Sequence, residues 1–234
     1  MRGILDTAPR SFGEVQRLQT YKDDARSGVW VAVWPAVGRA VVKQYRHLPL
    51  RQMLAALLLL HPAQREKRAA RRLAARGVPV VPVMRLSWDW SGGGVRVWLV
   101  TPLWGKSLDR FLKANGAHGF ATRKTVTLAL ARLVAKLHAA GLFFRDLKTS
   151  NLVVDPKGYA WLLDTGSIRR GRSRRKSVRM LGLLDATAVR DGASRAERLR
   201  FFRALVAMTP ELGDARSLMD DVLKRSRAVQ SRWR

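Results

Sequence analysis

One short stretch, Phe144-Arg145-Asp146-Leu147-Lys148-Thr149-Ser150-Asn151, gathers a carboxylate, an ammonium and an amide. A second carboxylate follows thirteen residues after Asn151, at Asp164 in Leu162-Leu163-Asp164-Thr165-Gly166. Side chains of these types can take a proton from a hydroxyl, neutralise a developing anion and offer hard oxygen ligands to a divalent cation. Composition closes other routes. The chain has no cysteine, which removes disulfides, thiolate zinc sites and cysteine nucleophiles. Its four histidines, His47, His61, His118 and His138, lack a ligand spacing such as H-E-x-x-H. A metal would therefore be held by oxygen. Taken alone, an Asp before a strand is a turn or a cap, and D-x-G is a common loop. Order, spacing and strand context together argue for a site.

The elements that must position these residues follow from periodicity. Thr122 to Ala140 reads as an amphipathic helix stopped by Gly141, and Leu152-Val153-Val154 and Tyr159 to Leu163 as short strands around the turn Asp155-Pro156-Lys157-Gly158. The candidate loop lies between that helix and the first of those strands. Upstream, the strand-like region from Glu14 to Tyr45 contains a hairpin, Val29 to Trp34 and Arg39 to Tyr45, about Pro35-Ala36-Val37-Gly38. Arg51 to Arg76 changes to a helical period, with apolar Met53 to Leu60, an interruption at His61-Pro62 and a second helix from Gln64 to Leu73 before Gly77. Val80 to Trp90 and Val95 to Thr101 are strand-like, and Pro82 gives the first an edge or irregular start. Ser107 to Leu112 is helical, and residues 180 to 230 read as three helices. Trp30, Trp34, Trp88, Trp90, Trp98 and Trp161 all fall in strands, so core packing accounts for them. The fold class is α+β, a small antiparallel sheet followed by a mainly helical part.

R-D-L-K-x-x-N followed by D-x-G resembles the catalytic and metal-binding loops of the protein-kinase-like superfamily. That resemblance implies a two-lobed domain over residues 1–234, with an N-lobe at 14–101 and a reduced C-lobe at 102–234. It implies phosphoryl transfer from ATP, with Asp146 orienting the accepting hydroxyl and taking its proton, Lys148 as the nearby cation, and Asn151 with Asp164 holding Mg²⁺. Lys43, in Ala40-Val41-Val42-Lys43, sits where the strand lysine for the phosphates would sit. Glu66, the one acidic residue between Asp24 and Asp89, would be its helix partner. The plain alternative leaves Lys43 solvated and Glu66 paired with its basic neighbours. Thr101 and Leu103, in Thr101-Pro102-Leu103-Trp104, occupy the place of the hinge that meets adenine, or form an ordinary interdomain turn. The glycine-rich phosphate loop is missing: Thr20 to Gly28 stands between the first two strands, with Lys22, Arg26 or Ser27 as substitutes. Phe144 replaces the His of H-R-D and Thr165 the Phe of D-F-G. Met208-Thr209-Pro210-Glu211 is a helix stop, and Gly105-Lys106-Ser107 is not a Walker motif, since the upstream glycine falls on Val100.

Within that superfamily the chain most resembles the bacterial lipopolysaccharide kinases, the family of Kdo and core-heptose kinases. The likeness rests on the Glu66 helix running into Ala75-Arg76-Gly77-Val78-Pro79-Val80, on the two loops, and on a short basic C-terminal part that includes Ser194 to Arg203. It implies a sugar hydroxyl of a lipid-linked glycan as acceptor, at the cytoplasmic face of the inner membrane. Composition bears on the partner. The 234 residues carry 45 Lys plus Arg against 17 Asp plus Glu, a formal charge of +28, yet 47% are hydrophobic, enough for a folded core. Residues 39 to 76 hold ten basic and one acidic side chain, and residues 169 to 234 eighteen and seven. Such blocks fit anionic lipid, a phosphorylated glycan or nucleic acid, or simply solvated basic faces. Ile168 to Arg179 contains no aromatic residue, which disfavours nucleic acid. The longest apolar run, Met53 to Leu60, is far short of the roughly 20 residues that span a bilayer. Met1 to Asp6 lacks a signal-peptide core, so the expected location is cytoplasmic and peripheral at the inner membrane. A Ser/Thr/Tyr protein kinase, a pseudokinase-like binding module and a nucleic-acid-binding protein are the competing readings.

Overall fold

The computed structural model describes residues 15–25, 27–34, 38–46, 61–91, 94–114 and 118–233. The apolar helix expected at Met53 to Leu60 lies outside them. The described residues divide into two compact units, one holding those up to Arg71 together with those from Val81 to Leu103, the other those from Arg72 to Val80 and from Trp104 onward.

In the first unit, β1 (Arg17–Asp23), β2 (Ser27–Trp34), β3 (Gly38–Tyr45), β4 (Arg85–Ser91) and β5 (Gly94–Pro102) form an antiparallel sheet in the order β1-β2-β3-β5-β4. Alternation along each strand sorts its residues. Trp30, Ala32 and Trp34 of β2, Ala40 and Val42 of β3, and Trp98 and Val100 of β5 share one buried face, where Trp30 and Trp98 meet edge to face at 5.6 Å. Val97 and Leu99 turn the other way, onto Ala63 of α1 (Pro62–Ala74). Lys43 is therefore on the helix side of β3, because its neighbour Val42 is on the opposite face. On α1, Ala63, Glu66, Ala70 and Leu73 are all buried and recur at helical spacing, so Glu66 belongs to the inward stripe. The helix begins at His61, whose carbonyl accepts the Arg65 N–H and whose Nδ1 accepts the Ala63 N–H at 3.2 Å, with Pro62 at the first helical position.

The strand expected from Val80 starts only at Arg85. Pro82 has no N–H for a ladder, and Val80 instead makes one parallel bridge to Leu162.

The second unit is mainly helical: α2 (Leu108–Lys113), α3 (Phe120–Ala139), α4 (Arg174–Arg190), α5 (Arg195–Met208) and α6 (Ala215–Gln230). Two small antiparallel sheets accompany them: β6 (Lys106–Ser107), β8 (Leu152–Val154) and β9 (Ala160–Leu162), and β7 (Leu142–Phe144) paired with β10 (Ile168–Arg170). Leu133, Leu137, Phe144, Leu147, Leu162, Met180 and Phe202 are fully buried within this unit. Gly105 is required by close approach, since a Cβ there would lie 2.2 Å from the Val154 carbonyl oxygen. The arginine tract 169–179 is a strand and the first turns of α4, whose cap Ser173 accepts the Lys176 N–H. Ser194 and Glu197 form a reciprocal capping box on α5.

Candidate active site

The loop from Arg145 to Lys148 leaves β7 and enters a 3₁₀ turn, Thr149–Asn151, that leads into β8. Phe144 and Leu147, both fully buried, plug it into the interior, which leaves the polar residues between them facing outward. Asp146 Oδ2 receives Lys148 Nζ at 3.0 Å and Asn151 Nδ2 at 3.0 Å. The same Asn151 amide also donates to the Asp146 carbonyl at 2.8 Å. Both donor contacts fix the amide orientation, so Asn151 Oδ1 is the oxygen left for a ligand. The Asp146 side chain is 44% exposed. Its Oδ1 has no partner among the described residues and is open to an incoming hydroxyl.

Asp164 is brought to the same end of the β8–β9 ribbon. Leu152 pairs with Leu162, and the Leu163 N–H donates to the Asn151 carbonyl at 2.9 Å, so Asn151 and Asp164 lie beside each other along the ladder. Asp164 itself is in the left-handed region, φ 53 and ψ 52, and is the one non-glycine residue with positive φ among those described. That conformation costs about 1 kcal/mol, and such strain clusters at working sites. Among the described residues no group of three or more His, Cys, Asp or Glu could hold a metal ion. The donor set is one amide oxygen and one carboxylate. It fits Mg²⁺, which keeps waters and shares substrate phosphates, better than a metal needing a full protein cage.

In the first unit, Lys43 Nζ lies 3.2 Å from Glu66 Oε2, with the side chains 24% and 7% exposed. The β3 register and the α1 stripe thus bring together the lysine and glutamate anticipated from sequence. Thr101 is buried at the end of β5. The Leu103 N–H is already engaged by the Arg39 carbonyl at 3.0 Å, so adenine could reach only the Leu103 carbonyl there without breaking that bond. The β1–β2 turn replaces glycines with a side-chain brace. Asp24 Oδ1 accepts the Ser27 N–H at 2.7 Å, Lys22 bonds both Ser27 Oγ and Asp24, and Arg46 binds the Asp24 carbonyl. Lys22 and Ser27 are thereby engaged with the turn itself, and Arg26 lies outside the described residues. Thr149 is a further residue of the motif that the sequence does not single out: it is fully buried and tied to α4, a tie with no local signature.

Comparison with known proteins bears on this geometry. The 3-deoxy-D-manno-octulosonic acid kinase of Xanthomonas oryzae pv. oryzae (strain PXO99A) is 29% identical over 167 residues, 67% of this chain and 63% of that protein. The protein of the same description from Xylella fastidiosa (strain M12) is 28% identical over 164 residues, 67% and 62%. Developmentally-regulated protein kinase 1 of Dictyostelium discoideum is 34% identical over 61 residues, 26% of this chain and 8% of that protein. The chain spans a little under two thirds of the length of the two octulosonic acid kinases it matches. The model of the lipopolysaccharide kinase (Kdo/WaaP) family matches residues 23–204, most of the chain, and the chain belongs to that family.

Proposed function

We propose that the chain transfers the γ-phosphoryl group of ATP to a sugar hydroxyl of a lipopolysaccharide-type glycolipid. The observation that carries this reading is the Asp146–Lys148–Asn151 cluster, with one carboxylate oxygen held and the other open. The acceptor hydroxyl gives its proton to Asp146 Oδ1 as its oxygen bonds to the γ-phosphorus and the bond to the β,γ-bridging oxygen breaks, releasing ADP. Lys148, 3.0 Å from the same carboxylate, supplies positive charge beside the transferring group. Lys43, steadied by Glu66, serves the nucleotide phosphates. Thr101 and Leu103 border the base. When bound, Mg²⁺ on Asn151 and Asp164 neutralises phosphate charge. The acceptor class is supported by family membership and by the sugar in the relatives' names.

The basic blocks support a peripheral position at an anionic inner-membrane surface; among the described residues no helix is long and apolar enough to cross a membrane. Protein kinase activity is the second reading, supported by Lys148 in the motif and by the Dictyostelium match. ATP, Mg²⁺ and a panel of octulosonic-acid-containing lipid acceptors and peptides decide between them. Phosphate on the sugar is expected. Phosphate on peptide alone transfers the assignment to the second reading, and a folded protein that neither binds nor turns over ATP is a pseudokinase.

A further inference from the structure

Both ends of the catalytic loop are fastened to a single stripe of α4. At one end the Phe144 N–H donates to Met180 Sδ at 3.2 Å. At the other, the Thr149 N–H donates to Thr187 Oγ1 at 3.2 Å and the Thr149 hydroxyl to Asp191 Oδ2 at 2.5 Å. Met180, Leu184, Thr187 and Asp191 are spaced by four, three and four residues, so they line one face of the helix and its cap, and all four are buried. The polarity of the contact is fixed. Thr187 Oγ1 gives its own proton to the Leu183 and Leu184 carbonyls, 3.0 Å each, and so meets Thr149 as an acceptor. Asp191 can only accept, and Arg190 at 3.0 Å and Lys113 at 3.5 Å balance its charge. Burial would raise the Asp191 pKa, but hydrogen bonds from Arg190 and Thr149 and the charges of Arg190 and Lys113 hold it below the ordinary carboxylate value. Thr149, with two donors, is thus matched to two acceptors on a rigid helix.

We propose that Thr149, Thr187 and Asp191 are positioning residues for the transfer: through them α4 sets the direction in which Asp146 and Lys148 leave the loop. The inference rests on the kinase reading for its kinetic consequence, while its structural claim stands alone. Thr149 has no route to substrate, being fully buried. It acts through Lys148, its chain neighbour, and Asn151, two residues on, which both bind Asp146. A displacement of about 1 Å at a reacting group can cost about a hundredfold in rate.

The test compares Thr149→Val, which keeps shape and loses the hydroxyl, with Thr149→Ser, which keeps the hydroxyl. Both are made in the full chain and assayed with Mg·ATP and a lipid-linked octulosonic acid acceptor. Amide hydrogen exchange is followed over residues 145–151 and 174–190 in the same proteins. In the valine variant kcat should fall about a hundredfold with KM for ATP within about threefold. The loop should lose protection while α4 keeps it, and serine should restore kcat to within about threefold of the parent. Unchanged loop exchange overturns the proposal. So does loss of protection shared equally by loop and helix, or a serine variant as slow as the valine one. A parent that turns over no acceptor defeats the kinase reading instead, and the exchange comparison then decides the positioning claim by itself.

Discussion

Asp146 divides its two oxygens between different tasks, Oδ2 anchored by Lys148 and Asn151 and Oδ1 open. Asp146→Asn should lower kcat by about 10²- to 10⁴-fold, the usual share of a general base. Because the side chain is 44% exposed, unfolding free energy should stay within about 1 kcal/mol of the parent. A steady-state assay with a denaturation curve checks both; an unchanged kcat would remove Asp146 from the chemistry. Asp164 calls for a different substitution logic. Its left-handed backbone is tolerated by asparagine as well as aspartate, so Asp164→Asn isolates the lost charge. The Mg²⁺ concentration for half-maximal activity should rise about tenfold or more, since ligand charge sets affinity for hard cations. A variant with the parental Mg²⁺ dependence would show that Asp164 is no ligand.

At the scale of elements, α1 is joined to the sheet through the Glu66–Lys43 ion pair, and its start depends on a neutral histidine. His61 is fully buried, with Tyr45 and Trp88 rings edge-on at 5.2 and 5.3 Å, and its Nδ1 must be unprotonated to cap the helix. Burial lowers its pKa from 6.5 to about 4. The native state therefore takes up this proton later than the unfolded chain. The stabilisation is complete above about pH 6.5 and is lost as pH falls toward 4, by about 2 kcal/mol between pH 8 and 5. His61→Asn keeps a capping oxygen without titrating, so its denaturation free energy should be flatter over that interval; equal slopes would refute the assignment. The same helix shows what a sequence can disclose. Lys43 was legible only through its resemblance to the strand lysine of the kinase motif and Glu66 because it is the one acidic residue between Asp24 and Asp89, and the Asp146 loop was legible because its residues are contiguous. The three-residue strands β7 and β10 were not, since their pairing is made across the chain and not within a local pattern. The start of α4 was hidden because its cap, Ser173, stands inside an arginine run. Asp191 was hidden for a third reason: it meets Thr149 from 42 positions away.

Across the whole molecule, the excess charge is sorted by what the few acids do. Asp185, Asp191 and Glu197 are buried and bound to Arg198, Arg190 and Arg123, so these carboxylates are used internally as structural ties. Arg123 and Arg198 thereby brace α3 and α4 against α5. Other cations are left outside. Arg65, Arg71 and Arg72 of α1 and Arg170, Arg175 and Arg179 at the start of the C-terminal block are exposed, with no carboxylate partner among the described residues. On α1 the crowding registers locally: burial and then the charge of Arg71 lower the Lys67 pKa. Like charges at helical spacing weaken a helix, so this exterior costs stability unless an anion lies against it. A surface of anionic lipid would relieve that repulsion at about 1 kcal/mol per cation brought near it. Vesicles containing phosphatidylglycerol should therefore sediment the protein at low salt, and pure phosphatidylcholine vesicles should not. Binding should fall as salt shortens the screening length to about 8 Å and below. Arg65→Gln with Arg71→Gln should weaken it about thirtyfold, the product of two such contacts, while leaving ATP turnover on a soluble acceptor unchanged. Equal binding to both vesicle types would mean that apolar contact drives it. Competition by RNA at the same salt would return the basic faces to nucleic acid, and no binding at all would leave them as solvated surface.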